Sequence, residues 1–168
     1  MKSITLKFIA ALLLAAPAFA AGKHDHKKEA GPNGGRILSK VEPHLEFLVT
    51  KDKKVQITAL TEALKPAKLS GQVISVTAGD RSKPTKLEFK EEDGKLISTN
   101  TIPEGNDFPV SVSIKADAKA KPVYEKFNLN LEKCPTCKYL EYACICEHSH
   151  DHDHDHKDHD HKHDEKKK

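Results

Sequence analysis

The stretch that decides the fold is His44-Leu45-Glu46-Phe47-Leu48-Val49-Thr50, followed after Lys51-Asp52-Lys53 by Val55-Gln56-Ile57-Thr58-Ala59-Leu60. Apolar residues recur at every second position: Leu45, Phe47 and Val49 in the first run, Val55, Ile57 and Ala59 in the second. Alternate side chains of an extended chain point to opposite faces, so each run reads as a half-buried strand, and the polar triplet between them reads as a turn. The same pattern continues outward. Arg36–Lys40 lies before it. Gln72–Thr77, Thr85–Lys90, Lys95–Thr99, Pro109–Lys115 and Val123–Leu131 lie after it. Leu87 and Phe89, then Val110, Val112 and Ile114, then Phe127, Leu129 and Leu131 are the expected inward residues. Turn-forming sequences separate the runs: Glu42-Pro43, Gly79-Asp80, Glu92-Asp93-Gly94 and Pro103-Glu104-Gly105-Asn106. About 7–8 short strands with regular turns predict an all-β fold, a small antiparallel, Ig-like β-sandwich over residues 36–132. A small barrel is the alternative. Thr61–Leu69 is a candidate helical turn, limited by Pro66.

The flanks differ in composition. Residues 1–20 carry Lys2 and Lys7, an apolar run from Phe8 to Ala16, and Pro17-Ala18-Phe19-Ala20. That order describes a secretory signal peptide with cleavage expected after Ala20. The apolar run is too short to cross a bilayer core of ~30 Å, and no later stretch approaches the length of a membrane span. Removing the leader takes two of the 28 basic residues and none of the 25 acids, so the remaining chain is nearly neutral. Nucleic acid is therefore not an expected partner, because it selects a net basic face. Residues 21–35 read as a flexible polar arm. Residues 149–168 read as a disordered tail, since they contain no apolar residue that could offset the entropy of folding.

Histidine is the unusual residue, with 11 in the chain. Eight lie in the repeat His148, His150, His152, His154, His156, His159, His161 and His163, interleaved mostly with Asp. Imidazole nitrogen suits Zn²⁺ and copper, and Ni²⁺ as well. A neighbouring carboxylate can accept the second ring proton and orient the ligand. Glu and Lys would solubilise a tail equally well without supplying imidazole ligands. His24-Asp25-His26 is a smaller copy of the motif in the arm. His44 and Glu46, two apart on one strand face, form a further candidate pair.

The four cysteines lie together in residues 133–148: Cys134-Pro-Thr-Cys137, then Cys144-Ile-Cys146, with His148 two residues on. A C-x-x-C turn is a standard half-site for tetrahedral Zn²⁺, and soft thiolates suit copper(I) equally. Two local disulfides are the competing reading, because export places thiols in an oxidising compartment. A thiol oxidoreductase would place its C-x-x-C at a strand-to-helix junction, and no α/β alternation is present. No G-x-S-x-G or H-E-x-x-H motif occurs, so no enzyme is expected.

Gly31-Pro32-Asn33-Gly34-Gly35-Arg36-Ile37-Leu38, followed by His44-Leu45-Glu46-Phe47 and Val55-Gln56-Ile57, resembles a pattern in small His-rich periplasmic proteins of bacteria. It is similar also to the opening segment of periplasmic adaptor subunits of heavy-metal efflux pumps. The likeness covers about residues 22–60. It implies a Gram-negative periplasm, a β-sandwich, and a role in heavy-metal homeostasis or resistance beside an efflux system. The adaptors' long helical hairpin and lipoyl-like halves have no counterpart in these 168 residues. The expected function is thus a periplasmic buffer or carrier of Zn²⁺ or copper. The alternative is a structural module that docks on an envelope or efflux partner, with its cysteines in disulfides.

Overall fold

The structure, a computed structural model, describes residues 29–146. The alternating runs form ten strands: β1 Arg36–Leu38, β2 His44–Val49, β3 Val55–Leu60, β4 Pro66–Ala67, β5 Val73–Ala78, β6 Thr85–Leu87, β7 Phe89–Glu92, β8 Lys95–Ser98, β9 Asp107–Lys115 and β10 Val123–Asn130. They make two antiparallel sheets. One has the order β1-β2-β3-β8-β7, with β4 added beside β3; the other has the order β10-β9-β5-β6. The sandwich expected from the alternation is the fold observed.

The inner faces hold the residues that the period-2 pattern places there. Leu38, Leu45, Phe47, Val55, Ile57 and Ala59 come from one sheet. Val76, Ala78, Val110, Val112, Ile114 and Leu129 come from the other. Each fully buried Val, Leu, Ile or Phe among them contributes about 1.5–3 kcal/mol of hydrophobic stabilisation. Phe47 meets Phe127 edge-on across the gap, with centroids 5.2 Å apart.

Two local expectations are corrected. The run Thr85–Lys90 is two strands that belong to different sheets. β6 pairs with β5, whereas β7 pairs with β8. At the crossing residue, the Glu88 amide donates to Asn100 Oδ1 at 2.9 Å, and the Glu88 carbonyl accepts from Thr99 N at 2.7 Å. Thr61–Leu69 contains no helix. A turn closed by Leu64 N to Thr61 O at 2.8 Å leads directly into β4. Pro66 has no amide to continue a helix but accommodates extended backbone.

Candidate metal centre

The cysteine segment is organised by a short hairpin beyond β10. The Glu141 amide donates to Glu132 O at 2.9 Å, and the Cys134 amide donates to Tyr139 O at 2.9 Å. Lys133 and Leu140 form the bridge between these bonds. Cys134-Pro-Thr-Cys137 is therefore the loop at the hairpin tip. A single 3-10 turn follows, Glu141–Ala143, and returns Cys144 and Cys146 to that tip.

Tyr142 fixes the segment to the sandwich. It is 3 % exposed, meets Phe47 at a centroid distance of 6.3 Å, and its hydroxyl accepts the Val49 amide at 3.1 Å. Burial pushes its phenol above the ordinary range. Arg36 adds a second tie. Its guanidinium lies 4.8 Å from the Phe127 ring centroid and donates to Tyr142 O at 3.3 Å. A tight anchor beside the loop limits how far the cysteines can move.

All four sulfurs lie within 4.8 Å of one another. Cys144 Sγ stands 3.4 Å from Cys134 Sγ and 3.7 Å from Cys137 Sγ. None of the four is in a disulfide. A disulfide needs sulfurs ~2.05 Å apart. Four thiolates at ~2.3 Å around a tetrahedral ion would stand about 3.8 Å from one another. The observed spacing is closer to that of ligands around a shared centre than to that of a disulfide, so the four cysteines could hold a metal ion. Among the described residues, this is the one group of three or more His, Cys, Asp or Glu side chains so placed.

Neighbouring donors point at the sulfurs. The Thr136 hydroxyl donates to Cys146 Sγ at 3.1 Å and lies 3.3 Å from Cys134 Sγ. The Cys146 amide donates to Cys144 Sγ at 3.3 Å, and the Tyr139 amide donates to Cys137 Sγ. Such donors stabilise sulfur as thiolate. Without a cation they do not prevail. Desolvation, reinforced by the neighbouring thiols, pushes Cys144 up to about 12 against the pull of the Cys146 amide. The Tyr139 amide lowers Cys137, but desolvation and the Cys134 and Cys146 thiols leave it raised. Four thiolates repel one another unless positive charge sits among them. Cys134 is buried, while Cys137, Cys144 and Cys146 are partly exposed, so the cluster has one wall in the protein and one side toward water.

The remaining candidate residues fall elsewhere. His44 and Glu46 do share the β2 face opposite Leu45 and Phe47, but both are buried, at 8 % and 0 % exposed. The Glu46 carboxylate is engaged by the chain itself. Oε1 accepts the Asn33 and Gly35 amides, each at 2.9 Å, and Oε2 accepts Asn33 Nδ2 at 2.6 Å. A β-carbon on Gly31 would overlap this carboxylate, so the glycines of the turn are what admit it. His44 Nδ1 lies 2.8 Å from Val41 O and 3.4 Å from Glu42 Oε1. Neither residue is near enough to the cysteines to join that group of ligands. His24, His26, His148, His150, His152, His154, His156, His159, His161 and His163 lie outside the described residues, as do residues 1–20.

Spacing alone did not mark Thr136, Tyr142 or Asn33 as parts of these sites. Tyr142 carried a signal: an aromatic amid the six residues between Cys137 and Cys144 has apolar area to bury. A cavity of about 460 Å³ lies between the two turns, bordered by Asn33, Gly34, Lys138, Tyr139 and Tyr142 among others. No described helix is long and apolar enough to cross a membrane. Comparison with protein-family models, curated proteins and solved structures finds no match for this chain.

Proposed function

We propose that this chain is an exported, non-enzymatic metal-binding protein whose four cysteines hold one Zn²⁺ or copper(I) ion, and whose histidine segments collect further ions of the same kind. The observation that carries the reading is the spacing of the sulfurs, close to the edge of a thiolate tetrahedron and far from a disulfide. Export is supported by the charged, apolar and small-residue order of residues 1–20. A role beside a heavy-metal efflux system rests on the resemblance of residues 22–60.

The chemistry follows from the thiols. An entering cation must displace a proton from each sulfur that binds it. Its charge then offsets the repulsion among the thiolates, while the Thr136 hydroxyl and the Tyr139 and Cys146 amides share the residual negative charge. Zn²⁺ leaves less residual charge on four thiolates than copper(I) does. The partly exposed side of the cluster gives an ion a route in and a route out, as a buffer or carrier requires.

The test is native mass spectrometry of the full chain, untagged and isolated from the exported fraction, with thiols counted on the same sample. The expected result is bound zinc or copper in more than one equivalent, all four cysteines being free of disulfides. A metal-free protein with two disulfides would overturn the proposal.

A further inference from the structure

The sulfurs that would hold an ion also stand within a short approach of joining one another. Cys144 Sγ lies 3.4 Å from Cys134 Sγ and 3.7 Å from Cys137 Sγ. A disulfide holds its sulfurs at ~2.05 Å, so joining Cys144 to Cys134 needs an approach of roughly 1.4 Å. That is a local movement at the tip of the hairpin. The backbone on both sides of it is tied. The Cys134 amide donates to Tyr139 O at 2.9 Å, and the Cys144 amide donates to Glu141 O at 3.1 Å. Exposure separates the two sulfurs by role. Cys134 is 2 % exposed, whereas Cys144 is partly exposed. A small molecule in solvent can reach Cys144, and the buried Cys134 thiol stands next to it. Chain spacing alone favours a different pair, Cys134 with Cys137 in the C-x-x-C turn. The fold brings Cys144 up to both of them.

We propose that the four-cysteine site is gated by oxidation, a low-molecular-weight disulfide joining Cys144 to Cys134 and so expelling the bound ion. The inference rests on the four-cysteine site proposed above. The step is thiol–disulfide exchange. The Cys144 sulfur attacks one sulfur of the small disulfide, which forms a mixed disulfide and releases one small thiolate. The Cys134 sulfur then attacks Cys144 Sγ, which forms the protein disulfide and releases the second small thiolate. Two cysteine sulfurs lose one electron each, the small disulfide gains both, and the released thiolates take protons from water. The ion keeps its charge throughout. It is left with two of its four sulfur ligands, because the thiolate and not the disulfide is the ligand form of cysteine. Reduction of the protein disulfide restores all four. A bound ion engages the electron pairs that the attack requires, so the loaded site yields only to oxidant in excess. The cluster therefore keeps its ion while disulfides are scarce and delivers it where they accumulate.

Cd²⁺ is a suitable probe, since it keeps its charge during the exchange and its thiolate charge-transfer absorption reports sulfur ligation. The reduced full chain carrying one equivalent of Cd²⁺ is treated with excess oxidised glutathione. Gel filtration then removes small thiols, so that the absorption reports ions on the protein. A half-reacted sample is alkylated and digested with trypsin. Cleavage after Lys133 and Lys138 puts Cys134 and Cys137 on one peptide, and Cys144 and Cys146 on another. The expected result is loss of most of the absorption, with the two peptides linked through Cys134 and Cys144. Reduction with a phosphine and fresh Cd²⁺ should restore the absorption. Absorption that survives the oxidant, absorption that does not return, or a first-formed disulfide between any other pair would overturn the gate while leaving the cysteine site intact. No thiolate absorption in the reduced chain before oxidation would overturn the cysteine site and the gate together.

Discussion

Two turns meet at the Val49 end of the sandwich, and they treat their polar centres in opposite ways. The Gly31–Gly35 turn wraps the Glu46 carboxylate with two backbone amides and one side-chain amide, all at 2.6–2.9 Å. That centre is complete with what the chain provides. The Cys134–Cys137 turn gathers sulfurs, and its donors leave Cys137 and Cys144 raised rather than ionised. That centre is a group of four soft ligands that could hold a guest of positive charge. The difference teaches how to tell a structural polar cluster from a candidate binding one: in the first every acceptor has its donor, and in the second four soft ligands stand together where a cation could sit.

The largest expected effect is on the complete centre. Glu46→Ala would strand the Asn33 and Gly35 amides under the turn, and lost hydrogen bonds to a buried charge cost about 3 kcal/mol or more together. Urea denaturation should show that loss, while metal stoichiometry at the cysteines stays unchanged in the folded fraction. Loss of the metal with the carboxylate would erase the distinction between the two turns.

Next in size is the guest itself. Free Zn²⁺ at a hundredfold excess over its dissociation constant should raise the unfolding free energy by about 2.7 kcal/mol. Cys144→Ser should abolish most of that gain, and Glu46→Gln should not. Zinc that stabilises the Cys144→Ser chain equally would place its site elsewhere.

Tyr142→Phe is expected to cost about 1–2 kcal/mol, because the Val49 amide loses its acceptor in a buried position. It should also weaken zinc binding, since the tyrosine ties the cysteine hairpin to β2. Unchanged metal affinity would show that the hairpin keeps its shape without that tie.

The smallest effect is on pH. In the metal-free chain the folded state holds the Cys144 proton up to about 12, against 9.0 ordinarily. A raised thiol contributes stability that is present below the unfolded value and lost as pH climbs through the folded one. Proteolysis of residues 133–146 should therefore quicken between pH 9.0 and about 12 when metal is absent. With metal bound the sign reverses, and acidification frees the ion as thiolates take up protons. A hairpin equally resistant across that range without metal would contradict the raised thiol.

Much of the sandwich was legible because burial in an antiparallel sheet imposes period 2, and Leu45, Phe47, Ile57, Val110 and Val112 obey it. The split at Glu88 was not legible, since a strand that changes sheets keeps its alternation and only long-range pairing reveals the change. Glu46 was misleading for a related reason. Alternation puts it on the outer face, and only the folding of residues 31–35 over that face buries it. The membership of the cysteine cluster was legible from spacing. That the four sulfurs stand together outside any disulfide was not, because the same loop lengths permit both arrangements. The Glu132–Glu141 hairpin sets the sulfur spacing locally, and Tyr142 ties that hairpin to the sandwich, a long-range contact that spacing does not show.

The most direct measurement is zinc X-ray absorption on the full reduced chain carrying one equivalent of Zn²⁺. The account predicts a shell of four sulfurs at about 2.3 Å. A shell dominated by nitrogen or oxygen at about 2.0–2.1 Å would contradict it, since the first ion would then rest on histidines or carboxylates instead of the cysteines.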